Sequence, residues 1–154
     1  MGKKTGPNPT DRAKRSLLTE ANGIPIGLAV DGANRHDCKM VLETIASIPI
    51  ERPKPTRQSP QGMCQDKAYD SIEVRELLYT FGFTAHIRSR GEEAKAIKKR
   101  AGFKASRWVV ERTHSWMNRF CRILVRWEKR ADTYVAMLHF AVGIITWRAA
   151  RLLG

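Results

Sequence analysis

Residues 107–124 leave little choice of conformation. Wound at about 3.6 residues per turn, they separate into two opposed faces. Val109, Thr113, Trp116, Phe120 and Ile123 fall on one side, widened by Val110, Met117 and Leu124, and Arg107, Glu111, His114, Asn118 and Arg122 make a narrow stripe on the other. A single carboxylate, Glu111, is therefore held on a rigid element among cationic and polar neighbours. Nearby positive charge favours an ionised acid, and such a carboxylate suits a hard divalent cation acting on phosphate. The same pattern also describes an ordinary amphipathic helix with a salt-bridged surface Glu.

Charge distinguishes the two readings. The chain has 154 residues, the size of one domain or a large fragment of one, and its 42% hydrophobic content is enough for a core. Its net charge of +13 is not needed for folding and is costly through self-repulsion. Such an excess points to a polyanion, with nucleic acid ahead of a membrane surface. Fourteen Lys or Arg against four acids lie between Arg88 and Arg130, half of all the basic residues. Trp108, Trp116, Phe120 and Trp127 interleave with them, and most fit the apolar face, so core packing explains them better than base stacking. Cys38, Cys64 and Cys121 are odd in number and lack metal-ligand spacing, which argues for a reducing compartment and against structural zinc. No signal peptide is visible, and the most apolar stretch, Tyr134 to Trp147, is too short to span a bilayer. The chain reads as cytoplasmic and nucleoid-associated, with no membrane partner.

Residues 1–14 read as an extended basic arm. Short apolar runs at 15–20 and 24–30, separated by Ala21-Asn22-Gly23, predict a hairpin. Helical spacing follows over 37–48, and a loop with three prolines over 51–61. Gly62 to Gln65 predicts a buried strand leading into Asp66; 71–81 a helix with Asp70 as its N-cap, ended by Gly82; 83–87 a strand. A charged connection at 88–106 precedes two helices, near 107–124 and 132–152, the second with Asp132 as its N-cap. The order β-β-α-β-α-β-α-α predicts an α/β fold, a mixed sheet flanked by helices whose parallel part is built by crossovers.

Asp66 stands where a strand stops and a loop leads to a helix, an address at which ligands collect in open α/β sheets. It could instead merely satisfy loop amides. A strand-end Asp and a helix Glu in one basic chain match enzymes that hold two divalent metals with carboxylates and clamp the oxygens of a phosphodiester. Asp66 and Glu111 are therefore expected to approach each other, although 45 residues separate them.

Four segments carry a resemblance: Gly2-Lys3-Lys4-Thr5-Gly6-Pro7-Asn8-Pro9-Thr10-Asp11-Arg12, Gly32-Ala33-Asn34-Arg35-His36-Asp37, Asp66-Lys67-Ala68-Tyr69-Asp70, and Trp108 to Phe120. Together they resemble the carboxyl-terminal part of a bacterial DDE transposase of the family named for insertion sequence five, over nearly the whole chain. The resemblance implies a ribonuclease-H-like fold, with residues 1–154 as the catalytic domain, and three metal-binding acids. Asp66 matches the second acid and Glu111 the third, with Mg²⁺ or Mn²⁺ as cofactor. Arg107 matches an Arg of the Glu region. The Tyr and Lys that relatives carry around that region are here Lys104 and Asn118, so their roles do not transfer. In the family the first acid lies on the first, central strand, just before the Gly-Pro-Asn-Pro segment. No Asp precedes Gly6 here, so that strand and its acid are expected to be missing, with Asp11 and Asp31 as the nearest replacements.

The resemblance thus implies an insertion-sequence transposase: metal-dependent cleavage at element ends, then attack of the freed 3′-hydroxyl on target DNA. Asp66 and Glu111 would be catalytic and metal-binding, and Arg107, Arg112, Arg119 and Arg122 would bind DNA phosphates, which gives affinity without sequence choice. Partners would be double-stranded DNA, an upstream-frame polypeptide supplying the first Asp, and a second copy in a homodimer. The chain alone is expected to be inactive. The alternative is a non-catalytic DNA-binding remnant or regulator of transposition, and a third reading is a ribonuclease-H-like nuclease unrelated to transposition.

Overall fold

The structure, a computed structural model, describes residues 13–88 and 107–153 apart from 125, 127 and 129, without the side chains of 88, 107, 108, 152 and 153. The arm at 1–14 (all but its last two residues), Asp11, Lys104 and almost all of the charged connection lie outside the described residues. The described residues form two compact units. The first comprises those up to 48 and from 109, and the second those between.

The first unit begins with the predicted hairpin. β1 (Ala13–Thr19) and β2 (Pro25–Gly32) pair antiparallel, from Ala13 opposite Gly32 to Leu17 opposite Leu28, with a bulge at Leu18/Thr19. Gly23 supplies the positive φ, +87°, that the turn needs. Glu20 closes the turn from its other end, its Oε1 accepting from the amides of Asn22 (2.6 Å) and Ile24 (3.0 Å). One face of the hairpin carries a 3-10 turn, Asp37–Met40, and α1 (Val41–Ala46), so the expected helix at 37–48 is shorter and begins as a tighter coil. Thr44 Oγ1 donates to Met40 O, and that hydroxyl and Ser16 Oγ lie 2.7 Å apart. A Cβ on Gly27 would sit 2.5 Å from Thr44 O, so α1 approaches the strand as closely as glycine permits.

The other hairpin face carries α3 (Arg107–Asn118), α4 (Cys121–Leu124) and α5 (Ala131–Leu153). Leu28 joins Met117, Ile123, Tyr134, Leu138, Ala141 and Ile145 in one buried cluster, with Ala13, Leu17 and Val30 against it. The 3.6 period of α5 explains the choice: Tyr134, Leu138, Ala141 and Ile145 share a face, while Phe140 and Trp147 stay 70% and 59% exposed. The expected single helix at 107–124 is broken. The amides of Arg119 and Phe120 bond only three residues back, to Trp116 O and Met117 O, and the Phe120 carbonyl then starts α4 by accepting from Ile123. The break turns Leu124 outward, 59% exposed, which corrects its place on the apolar face. Asp132 is also not the cap expected of it: α5 starts at Ala131, so Asp132 lies in the first turn, accepting from Thr133 N at 2.9 Å and pairing with Arg130 at 2.6 Å.

The second unit is a β-α-β crossover. β3 (Gln61–Asp66) and β4 (Phe83–Arg88) pair in parallel, with α2 (Ile72–Thr80) between them in sequence. Met63, Val74 and Leu78 are its buried core. Residues 51–60 have neither helix nor strand, and Gln61, the last residue of the expected loop, opens β3. Arg52 anchors the loop, donating to Gln61 Oε1 at 2.7 Å and Phe81 O at 2.5 Å over the Phe83 ring. The N-cap of α2 is Ser71, whose Oγ accepts from Val74 N at 3.2 Å, and not Asp70. Asp70 is drawn away by ion pairs to Lys67 (2.5 Å) and Arg75 (2.6 Å).

The described strands thus form two separate ladders, one antiparallel and one parallel, in a mixed α/β fold. Among the described residues β1 has no partner strand besides β2, and β3 none besides β4. No described helix is long and apolar enough to cross a membrane.

Candidate acidic site and nucleic-acid face

Asp66 is the last residue of β3 and is exposed. Strand alternation gives it the same face as Gly62 and Cys64, opposite Met63 and Gln65, and register sets Cys64 beside His86 of β4. A Cβ on Gly62 would meet the His86 ring at 2.8 Å, so glycine is what lets the imidazole lie across β3. Next to Asp66, the hydrogen bond from Lys67 and then that from Arg75 hold the Asp70 carboxyl below the usual range. Asp70 is thereby committed to anchoring the turn that follows Asp66.

Glu111 lies in the first unit and Asp66 in the second, and each is described in its own surroundings. Glu111 is exposed on the side of α3 away from Val109, Thr113 and Met117, which are buried. Those residues dock the helix on the hairpin: Thr113, fully buried, donates to Gly23 O at 2.6 Å. The expected cage of cations around Glu111 is rearranged. Arg112 donates to Asn22 O at the hairpin tip and lies over the Trp116 ring at 4.8 Å. Arg122 stands beyond the helix break and pairs with Glu128 at 3.1 Å. Arg119 is exposed, and the Arg107 side chain lies outside the described residues. Asp31, weighed as a replacement acid, is bonded to Arg35, which also binds Glu43 at 2.7 Å. Its register partner is Lys14, which places it on the α1 face of the hairpin, opposite the face that carries α3. The partner of Arg112 lies 90 residues away in the chain, so spacing along α3 alone gives no sign of that contact.

The rest of the polar stripe meets β1. Arg15 Nη2 donates to Asn118 Oδ1 at 3.0 Å. Burial first, and then the Arg15 charge, hold the His114 imidazole below its usual range. The folded state therefore disfavours protonated His114, and the unfolded chain takes up that proton near pH 6.5. This contribution to stability is complete above pH 6.5 and is lost as pH falls below it. Asp31, Asp70 and Asp132, held below 3.8, lose theirs only in stronger acid. Urea midpoints should decline between pH 6.5 and 4, and His114→Gln should flatten that limb; an unchanged limb would remove the assignment.

Carboxylate oxygens are hard donors, a chemistry that fits Mg²⁺ or Mn²⁺, and Asp66 and Glu111 are both exposed. Among the described residues no three His, Cys, Asp or Glu side chains group closely enough to hold a metal ion.

Residues 63–148 match the family model described as a transposase DDE domain, a span that includes both acids. The chain is 39% identical over 158 residues to a Burkholderia cepacia protein named "Putative transposase for insertion sequence element IS402", an alignment covering 96% of this chain and 71% of the relative. No solved structure matches the chain.

Proposed function

Because the chain belongs to the DDE transposases of insertion sequences, we propose that it is the part of such an enzyme that carries the second and third acids, Asp66 and Glu111. The observation that carries this reading is the placement of two exposed carboxylates, one ending a parallel strand and one on a helix face, within the matched residues. Asp66 and Glu111 would hold Mg²⁺ or Mn²⁺, which when bound polarises a phosphodiester and lowers the pKa of an attacking water or 3′-hydroxyl. The remaining work falls to the protein's own cations. Arg119, and Arg107 by its match to the Arg of the Glu region, hold backbone phosphates of the element ends and target, giving affinity without base choice.

The first acid comes from a further strand of the ribonuclease-H-like fold that the family carries. The open ladders at β1 and β3 support this, since an edge of unpaired amides and carbonyls accepts a further strand. That strand is supplied by polypeptide encoded upstream, through fusion, frameshifting or a separate chain, and the assembled enzyme works as a homodimer. Residues 1–154 alone should bind duplex DNA but not cut it, and joining the upstream polypeptide should confer Mg²⁺-dependent nicking of element-end DNA. Nicking by residues 1–154 alone, abolished by Glu111→Gln, would show that a third ligand comes from within. Absence of nicking in the joined protein would favour the alternative, a non-catalytic DNA-binding regulator. The specific observation on that side is that, among the described residues, no three His, Cys, Asp or Glu side chains group closely enough to hold a metal ion.

A further inference from the structure

The loop that leads into β3 is fastened at every level although it adds nothing to the buried core. Gln61 clasps its base: its side-chain carbonyl accepts from Arg52 Nη1 at 2.7 Å, and its side-chain amide donates to Pro53 O at 2.6 Å. Arg52 also donates to Phe81 O and lies 4.0 Å over the Phe83 ring. The Pro55 ring rests on the turn between those two residues, where a Cβ on Gly82 would meet Pro55 Cγ at 2.9 Å. At the tip Thr56 and Ser59 exchange both backbone hydrogen bonds at 3.2 Å, and Thr56 Oγ1 accepts from Ser59 N at 3.0 Å. Prolines at 53, 55 and 60 fix φ at three positions more.

This frame holds out positive charge. Lys54 and Arg57 are exposed, and neither side chain forms a hydrogen bond or ion pair with a described residue. Lys14, Arg35, Lys67, Arg75, Arg122 and Arg130, by contrast, are all engaged in ion pairs. The acid of the loop, Glu51, precedes the clasp and stands apart from the tip. We propose that residues 52–59 are a DNA-gripping finger, with Lys54 and Arg57 holding two backbone phosphates of a duplex. A finger already held in shape loses little freedom on binding, and a chain of net charge +13 makes DNA the polyanion to expect. The inference rests on the DNA-processing reading above and adds a grip apart from the acids. The loop enters β3 at Gln61, and Asp66 ends that six-residue strand about 17 Å further on.

The test is binding of a short labelled duplex of arbitrary sequence by residues 1–154 over a range of salt, with an unfolding midpoint for every variant. Lys54→Gln combined with Arg57→Gln should weaken binding about thirtyfold at about 0.15 M salt and lower the slope of log affinity against log salt by about 1.8, the share of two phosphate contacts. Removing two charges elsewhere, at the exposed and unpaired Lys39 and Arg148, should lower it by less than half as much. Pro55→Ala keeps both charges and loosens the loop, so affinity should fall several-fold with the slope unchanged. Midpoints should hold throughout, because all these side chains are exposed. A wild-type slope in the loop variant, or an equal loss in the Lys39 and Arg148 variant, overturns the proposal and leaves the DNA reading standing. Wild-type affinity in Pro55→Ala also overturns it, and that variant decides alone should the loop variant fail to fold. Wild-type protein without salt-dependent duplex binding overturns both.

Discussion

Glu111→Gln is expected to cut Mg²⁺-dependent nicking by the joined protein by about 10²–10³-fold or more, the scale seen when a group essential to the transition state is removed. The amide keeps the size of the side chain and removes the charge that holds a hard cation. The change should cost almost nothing in folding, because Glu111 is exposed and forms no hydrogen bond or ion pair with a described side chain, and surface changes of this kind stay within about 0.5 kcal/mol. DNA affinity should stay level or rise slightly, since a negative charge leaves the phosphate path. Nicking assays, duplex binding and thermal unfolding on one preparation separate these effects. Full activity with Gln at 111 would strike this residue from the acids. Loss of activity together with loss of fold would mean that Glu111 supports the helix and not the chemistry.

The second large effect is on stability. Leu138→Ala should destabilise the chain by about 2–5 kcal/mol, the range for emptying a leucine from a packed core. Leu138 is fully buried where α5 meets the hairpin and α3, among Leu28, Met117 and Ile123. Against a whole-domain stability of about 5–15 kcal/mol, that loss leaves a chain close to its limit. Phe140→Ala, two positions along but on the 70%-exposed side of the same helix, should cost about 0.5 kcal/mol or less. Chemical denaturation of both variants tests which face of α5 is the core. Equal costs would mean that the outer face of α5 is also covered in solution.

What the sequence determined by itself is local or motif-borne. Asn22-Gly23 placed the hairpin, because only a glycine-like residue takes φ of +87° at no cost. The run Gly62 to Gln65 placed β3 and put Asp66 at its end, although the strand expected to be buried buries only Met63, and the 3.6 period gave α3 its buried and exposed faces, with Glu111 on the outer one. The family was legible in four short segments, since a transposase is recognisable by the residues around its acids whatever the rest of its fold does.

Only the tertiary structure decided how the charged side chains are used. Arg112 is named with the phosphate ligands that the resemblance implies, yet it bonds Asn22, 90 residues away, and Arg15 reaches Asn118 across 103. Ser71 took the cap from Asp70 because Lys67 and Arg75 claimed the carboxylate. The helix broke at 119–120 so that Ile123 could enter the cluster with Tyr134 and Leu138, leaving Leu124 outside. Turn chemistry and periodicity depend on neighbours in the chain, so a sequence displays them. Long flexible cations choose among partners that only folding brings within hydrogen-bond reach, and spacing along the chain carries no record of that choice.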